Sequence, residues 1–316
     1  MPVKSGRVAD VPGRDDDRIS AIFRDPPLFV ASARIATPAT TKRNTMRLTA
    51  YEKEVQREIE TWEAGESSIF VKAINWAMQP MDWVVNRMVS PELEDKADDA
   101  INQFLSVLND ASGWTFDPSD VLEDARSLGL KVDEVRDLRD QPLEKLDEMA
   151  RKRLDDHAIL AAIEGGGTGL GGIVLIAADI PLLLGINLRM IQQIAASYGF
   201  VLSGPEFRPL VLSVFNVASS GSRQARSDSI REISVAAAAF ANDLDYKGRV
   251  RGSFREQNRH LPREIAKNII GRKLAQAIPI AGAAVGAGIN YWFTSEATKT
   301  AFMLCRALYL ERKERV

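Results

Sequence analysis

The sequence predicts an all-α protein in which a multi-helix bundle surrounds a pair of glycine-rich apolar helices. Apolar residues recur at spacings of three and four from residue 49 onward, as on one face of a helix. No segment shows the alternation of apolar and polar residues that is typical of a half-buried strand. Two stretches combine many glycines with few charges, and they are Glu164–Leu188 and Leu274–Ser295.

The chain is predicted to divide into an extension and one helical domain. Residues 1–45 are rich in Arg, Asp, Pro, Ala and Thr without any sustained period, so we expect them to be disordered. Residues 46–316 carry all of the helical patterns and are numerous enough to bury a substantial core. We therefore predict a disordered extension over 1–45 and a single helical domain over 46–316.

The first predicted helix begins at Thr49, because Thr49 and Glu52 have the spacing of a capping box. Another start is predicted at Ser90-Pro91-Glu92, where a capping residue, a proline and an acid follow one another. A further helix is expected to begin at Asp117-Pro118 and to end at Gly129.

The second half of the chain is predicted to be helical on both sides of a short loop. From Pro142 the apolar residues follow a helical period up to the first glycine-rich stretch, and the helix after that stretch is expected to end at Gly199. Residues 200–209 contain a glycine and two prolines, which is typical of a loop. The later helices are expected over Leu210–Ser219, Ser229–Leu244 and Ala297–Tyr309.

The glycines of the two apolar stretches need a structural reason, because each glycine in a helix interior costs about 1 kcal/mol relative to alanine. Small residues spaced four apart let two helix backbones approach closely, often in lipid. Gly167 and Gly171 show this spacing in the first stretch, and Gly282, Gly286 and Gly288 provide it in the second. We predict that the two glycine-rich helices pack against each other through these residues.

Three locations relative to a membrane are compatible with the sequences of the two glycine-rich helices. Leu274–Ser295 has 22 uncharged residues and a span needs about 20, but Gln276, Asn290 and Thr294 are polar. The first stretch reaches Asp179 after 14 uncharged residues, and a carboxylate in mid-span costs roughly 2.5–3.5 kcal/mol. The pair therefore lies in a soluble bundle, inserts as a hairpin or re-entrant pair, or accompanies attachment to a membrane surface.

Charge is distributed unevenly along the chain, although the net charge is only −2. Glu92–Asp156 has 19 acidic and 9 basic residues, whereas Lys247–Lys273 has 9 basic and 2 acidic residues. The near-zero net charge argues against a general nucleic-acid binder, but the basic stretch suits an anionic membrane surface. The residues expected to contact that surface are Lys247, Arg249, Arg251, Arg255, Arg259, Arg263 and Lys267.

Metal and cofactor sites are not predicted. Cys305 is the only cysteine, and His157 and His260 are the only histidines, which is too few for a structural zinc site. Gly167–Gly172 matches G-x-G-x-x-G, but helical residues precede it where nucleotide binding requires a strand. The lone cysteine and the lack of a secretory signal lead us to expect a cytoplasmic protein, either peripheral to the inner face of the cell membrane or inserted in it.

Glu164, Asp179 and Arg189 are charged residues within or beside apolar helix, where an isolated ion would be very costly. We predict that they form a buried interhelical network, in which Arg189 meets Asp179 or Glu164. The alternative is a catalytic site in which burial tunes the carboxylates of Glu164 and Asp179 beside His157. No G-x-S-x-G nucleophile motif accompanies these residues.

A series of short motifs resembles the EcsC protein family over roughly Met46 to Arg312. The motifs are Leu143–Asp147, Glu164–Gly172, Ala178–Pro181, Leu188–Ile191, Tyr198-Gly199, Ile278–Gly282, Gly286–Tyr291 and Arg306. The resemblance implies a bacterial protein, and it implies a link to membranes because the family takes its name from a gene beside an ABC transporter. It brings no established activity and no catalytic residues.

The sequence thus favours a non-enzymatic, membrane-associated helper or scaffold, whose partners would be an anionic membrane surface and a membrane transport protein of the ABC type. One alternative is a hydrolase-type enzyme built around Glu164, Asp179 and His157. A further alternative is a soluble helical bundle that binds a protein partner through its acidic half.

Overall fold

The structure is a computed structural model, and it describes residues 48–64, 99, 102–106, 108, 117–154, 173–202, 204, 207–220, 224–230, 233, 261–262, 265, 268–269 and 282–315. Within these residues the chain forms α-helices and one 3-10 helix, with no strand, so the prediction of an all-α fold is confirmed. The expected disorder of residues 1–45 falls outside the described part.

Helix α1 spans Ala50–Glu63 and begins as predicted, at a capping box. The backbone N–H of Glu52 donates to Thr49 Oγ1 at 3.2 Å, and the backbone N–H of Thr49 donates to a carboxylate oxygen of Glu52 at 2.8 Å. Val55, Ile59 and Trp62 lie one turn apart and are all buried, which fixes the face that α1 turns to the core.

Helix α2 spans Ser119–Ser127 and is followed by a 3-10 helix over Val135–Asp140 and by helix α3 over residues 143–154. The carboxylate of Asp117 accepts from the backbone N–H of Ser119 at 2.9 Å, ahead of α2. Gly129 has φ of 78° and ends the turn after α2, as the sequence predicts.

Helix α4 spans Ile173–Ser197 with Pro181 inside it, and helix α5 spans Arg208–Ser219. Gly199, with φ of 80°, reverses the chain after α4, where the backbone N–H of Phe200 donates to Ala195 O at 2.9 Å. Helix α6 includes residues 224–230, and helix α7 spans Gly282–Arg315. With 34 residues, α7 is about 50 Å long.

Helix α7 is the element on which the others pack, and it contacts α4, α5 and α1. Helices α4 and α7 run parallel, because Asn187 contacts Thr294 and, further along both helices, Tyr198 contacts Phe302. Helix α1 runs antiparallel to α7, since its early Glu52 contacts the late Lys313. The apolar core is contiguous across these helices and includes the ring contacts Phe104–Phe215 and Phe215–Phe293.

Of the two predicted glycine-rich helices, the structure describes the predicted packing glycines of the second alone. Gly282, Gly286 and Gly288 lie within α7 and are helical, whereas Gly167 and Gly171 fall outside the described residues. Close packing between the two glycine stretches therefore stays a prediction. In the part of the chain that the structure describes, no helix is long and apolar enough to cross a membrane.

Candidate functional site

The centre of the described fold is a buried ion pair between Asp147 on α3 and Arg306 on α7. Arg306 Nη2 lies 2.9 Å from Asp147 Oδ2, and each side chain is only 1% exposed. The two residues are 159 positions apart in the sequence, so the pair fixes α3 against α7. A buried ion pair is tolerated when further groups compensate both charges. Here the carboxylate of Asp147 has further donors, whereas Nε and Nη2 of Arg306 form no well-aligned hydrogen bond with the described residues, so the contact between Nη2 and Asp147 is electrostatic.

Two tyrosines complete the surroundings of Asp147. The phenol of Tyr198, at the end of α4, donates to Asp147 Oδ1 at 2.6 Å, and the phenol of Tyr51 on α1 donates to Asp147 Oδ2 at 2.6 Å. Four helices therefore meet at one carboxylate. We call Tyr51, Asp147, Tyr198 and Arg306 the buried network.

Arg306 makes further contacts that hold its guanidinium in place. Nη1 donates to a carboxylate oxygen of Glu58 at 2.6 Å, and the guanidinium carbon lies 4.7 Å from the centre of the Phe302 ring. Burial alone would lower the pKa of Arg306, but Asp147, Glu58 and Tyr198 outweigh burial and raise the pKa. The guanidinium is therefore charged at neutral pH.

Asp147, Tyr198 and Arg306 are closed to solvent, Tyr51 is half-buried at the edge of the network, and both tyrosines are held protonated. Burial raises the pKa of Tyr198 well above its usual range, and the neighbouring carboxylate of Asp147 raises it further. Burial and the hydrogen bond to Asp147 also raise the pKa of Tyr51. Each phenol can then only donate to Asp147, and no oxygen of the carboxylate is left facing water. This arrangement is suited to holding four helices together.

A second set of contacts fastens the end of α7. Lys313 Nζ lies 2.5 Å from a carboxylate oxygen of Glu52, which is itself buried. Tyr309 donates to the backbone carbonyl of Gln141 at 2.9 Å, and burial followed by the charge of Glu52 raises the pKa of Tyr309 to about 12. Arg312 Nη1 lies 3.0 Å from a carboxylate oxygen of Asp140. These contacts tie α7 to α1 and to the segment before α3.

The α4–α7 contact carries polar groups in its buried interior. Asn187 Nδ2 donates to Leu183 O at 2.7 Å and to Thr294 Oγ1 at 3.1 Å, and both side chains are fully buried. On another side of α7, Arg226 and Glu296 form a buried ion pair at 2.6 Å. The residues around α7 are thus joined by directional polar contacts as well as by apolar packing.

Of the predicted polar network, the structure describes the side chain of Arg189 alone. Arg189 lies on the exposed side of α4 and forms no ion pair with any described residue, so its expected burial is not what the structure shows. The reason is helical register, because the inward positions of α4 next to it are taken by Asn187, Leu188 and Met190. Glu164, His157 and the side chain of Asp179 fall outside the described residues, as do the seven predicted membrane-contact residues.

The outer face of α4 has an unusual composition. Leu182 is 51% exposed and is the sole large apolar side chain with such exposure among the described residues. Gly185 and Arg189 follow it on the same exposed side. A side chain added at Gly185 would meet no described atom within 4 Å. We call Leu182, Gly185 and Arg189 the outer face of α4.

Sequence reasoning missed the buried network although a signal for it was present. Asp147 follows Leu143 by four positions and so lies on the same apolar helix face, and Arg306 is the one charged residue between Ala301 and Leu310. Such a charge is normally paired. The pattern does not show that Asp147 and Arg306, which are far apart in the sequence, pair with each other. For metals, no three or more His, Cys, Asp or Glu side chains are grouped as ligands within the described part of the chain.

Comparison with known proteins gives two relatives from Bacillus subtilis (strain 168). The chain is 31% identical over 159 residues to "Protein EcsC", covering 50% of this chain and 61% of that protein. It is 29% identical over 177 residues to "Uncharacterized protein YdbA", covering 54% of this chain and 60% of that protein. The chain thus spans about three fifths of the length of each relative, and no solved structure matches it.

The model of the EcsC protein family matches residues 53–310, which include α2 to α6 and most of α1 and α7. Three motifs that carry the resemblance, Leu143–Asp147, Tyr198-Gly199 and Arg306, meet in the buried network. The chain belongs to the EcsC protein family.

Proposed function

We propose that this protein is a non-enzymatic helper or scaffold that attaches to an anionic membrane surface, with the basic stretch Lys247–Lys273 as its main contact. The proposal extends to a cytoplasmic location and to a membrane transport protein as neighbour, which is the partner that the family resemblance implies. No reaction is assigned to it.

The observation that carries the proposal is a separation of charge. From residue 117 to residue 154 the exposed acids are Asp117, Asp120, Glu123, Asp133, Glu134, Asp140, Glu144 and Glu148, and they outnumber the exposed basic residues Arg126, Lys131, Arg136, Arg151 and Lys152. An anionic bilayer repels such a surface, whereas the stretch Lys247–Lys273, with a net charge of +7, is attracted to it. A molecule with this charge pattern attaches to anionic lipid in one preferred orientation.

The non-enzymatic part of the proposal is supported by the closed state of the buried network. A catalytic carboxylate must reach substrate, but Asp147 is 1% exposed and already faces two phenols and a guanidinium. The contacts of Asp147 are those of a residue that stabilises helix packing. The hydrolase alternative around Glu164, Asp179 and His157 gains no support from the described residues.

Flotation of the full-length protein with vesicles tests the proposal. We expect it to float with phosphatidylcholine vesicles that contain phosphatidylglycerol, not with phosphatidylcholine alone, and to be released when ionic strength rises to about 0.5 M. Reversal of three basic residues, Arg249→Glu, Arg251→Glu and Arg255→Glu together, should lower the bound fraction at least about tenfold, because each basic residue near the surface contributes about 1 kcal/mol.

The matched control reverses three exposed basic residues in the acid-rich part, Arg126→Glu, Lys131→Glu and Arg136→Glu together. It changes the net charge by the same amount and should float like the wild type. Equal loss in both triple variants would show that net charge alone governs binding. Wild-type protein that stays unbound at low ionic strength would contradict the proposal, and binding that resists salt would point to insertion.

A further inference from the structure

The carboxyl end of α1 holds a carboxyl group in an unfavourable position. Glu63 is the last residue of the helix, and both of its carboxylate oxygens are buried without a hydrogen-bond partner among the described residues. The free backbone carbonyl groups already make this end of a helix negative, so a further negative charge there is destabilising. The last turn contains no basic residue, and Glu60 lies three positions before Glu63. Ionisation of Glu63 is thus opposed by burial, by the helix dipole and by a like charge.

The cations of α7 do not offset this charge, although α7 packs along α1. Arg306 is bound to Glu58, and the contacts of Lys313 and of the buried network with α1 lie nearer the start of that helix. The next cation along α7 towards its amino end is Lys299, and none of the ion pairs between described residues joins it to Glu63. In the described part of the chain, Glu63 therefore has no compensating cation.

We infer that the last turn of α1 is a pH-sensitive latch, which is held closed while Glu63 is protonated and opens more often once Glu63 ionises. The inference goes beyond the proposed function and does not depend on it. Opening brings the carboxylate into water and breaks the hydrogen bond from the backbone N–H of Ala64 to Glu60 O, which measures 3.0 Å. It also uncovers Trp62, whose side chain is buried when the turn is closed.

The pH range of the latch follows from the difference between the closed and the open turn. In the closed turn, burial and then the charge of Glu60 raise the pKa of Glu63 from 4.5 to about 7. In the open turn the side chain is in water and regains the lower value. The closed turn is therefore favoured fully below the lower pKa, and this advantage is lost as pH rises through the higher one. Between a pH of about 5 and a pH of about 8, the ratio of open to closed turns should rise about ten- to hundredfold.

Hydrogen–deuterium exchange of the full-length protein at these two pH values, corrected for the intrinsic pH dependence of exchange, tests the latch. In the wild type we expect the protection of residues 60–64 to fall about ten- to hundredfold at the higher pH, to a level below that of residues 297–310 in the core of α7. Glu63→Gln stays neutral and should keep the turn equally protected at both values. The matched control Glu54→Gln removes an exposed carboxylate from the same helix and should behave like the wild type.

Three results would overturn the inference. Equal protection of residues 60–64 at both pH values in the wild type would show that ionisation does not act on the turn. The same fall in Glu63→Gln as in the wild type would assign the pH dependence to another group. If residues 60–64 and residues 297–310 reach the same protection at the higher pH, the turn opens only when the whole protein unfolds, and α1 has no latch. Thermal unfolding by circular dichroism checks that both variants are folded.

Discussion

At the residue scale, the buried network shows how a charge is kept in an apolar core. Asp147 loses its hydration on burial and regains favourable contacts from the guanidinium of Arg306 and the phenols of Tyr51 and Tyr198. A buried pair is weak evidence of net stabilisation, but removal of one partner leaves the other charge uncompensated. The network therefore specifies which helices meet, because any other arrangement strands a charge.

The first prediction concerns the coupling between Asp147 and Arg306. We expect Arg306→Met and Asp147→Asn each to lower the free energy of unfolding by about 3–5 kcal/mol, because each leaves an unbalanced buried group. The double variant should lose less than the sum of the single losses. Urea unfolding of the four proteins measures this coupling.

The matched control is the exposed pair Arg312 and Asp140, whose side chains are 36% and 74% exposed. Arg312→Met and Asp140→Asn should show a coupling of about 0–1 kcal/mol, since water screens the pair. Simple additivity at Asp147 and Arg306 would mean that the two residues do not act as a pair.

A second prediction concerns Glu63, whose two carboxylate oxygens are buried and have no hydrogen-bond partner among the described residues. Burial and then the charge of Glu60 raise the pKa of Glu63 from 4.5 to about 7. A raised pKa in the folded state means that stability is fully present below the unfolded value and is lost as pH rises through the folded value. Ionised Glu63 thus opposes folding at neutral pH and above.

We therefore expect Glu63→Gln to stabilise the protein by about 1–3 kcal/mol at a pH of about 8. The difference should vanish below the unfolded pKa of 4.5, where both side chains are neutral. Unfolding in urea across this pH range measures it. A constant difference at all pH values would show that ionisation of Glu63 is not the cause.

At the scale of elements, the ends of helices were the most predictable features. Thr49 with Glu52 and Gly129 act through bonds to neighbouring residues, so their short motifs contain all of the relevant information. The contact between Asp147 and Arg306 depends on how distant helices pack, which no local pattern contains. For the same reason Arg189 was expected inside, although the register of α4 turns it outward.

The third prediction compares the two glycines with positive φ. An added Cβ at Gly199 would lie 2.5 Å from Arg139 Cγ and 2.7 Å from the backbone nitrogen of Arg139, whereas at Gly129 it would meet nothing within 4 Å. We expect Gly129→Ala to cost about 1 kcal/mol from backbone strain alone, and Gly199→Ala about 2–4 kcal/mol because a clash is added.

Thermal or urea unfolding of both glycine variants measures the difference. The open site at Gly129 serves as the control for strain, since the two glycines have nearly the same φ. Equal losses at the two positions would show that the close approach of the 3-10 helix to the end of α4 contributes nothing to stability.

At the scale of the whole molecule, the parallel helices α4 and α7 have two ends that differ in their surroundings. Surface acids and the fastened end of α7 lie at one end, and the outer face of α4 lies towards the other. The sequence indicates this polarity through its charge distribution, with net charges of −10 over Glu92–Asp156 and +7 over Lys247–Lys273. The parallel direction of the two helices became visible only in the structure.

Hydrogen–deuterium exchange of the full-length protein, free and bound to phosphatidylglycerol vesicles, tests this orientation most directly. We predict that binding slows exchange in the stretch Lys247–Lys273 and leaves α2, the 3-10 helix and α3 unchanged. Protection of the acid-rich residues 117–148 instead, or equal protection along the chain, would contradict attachment through the basic stretch.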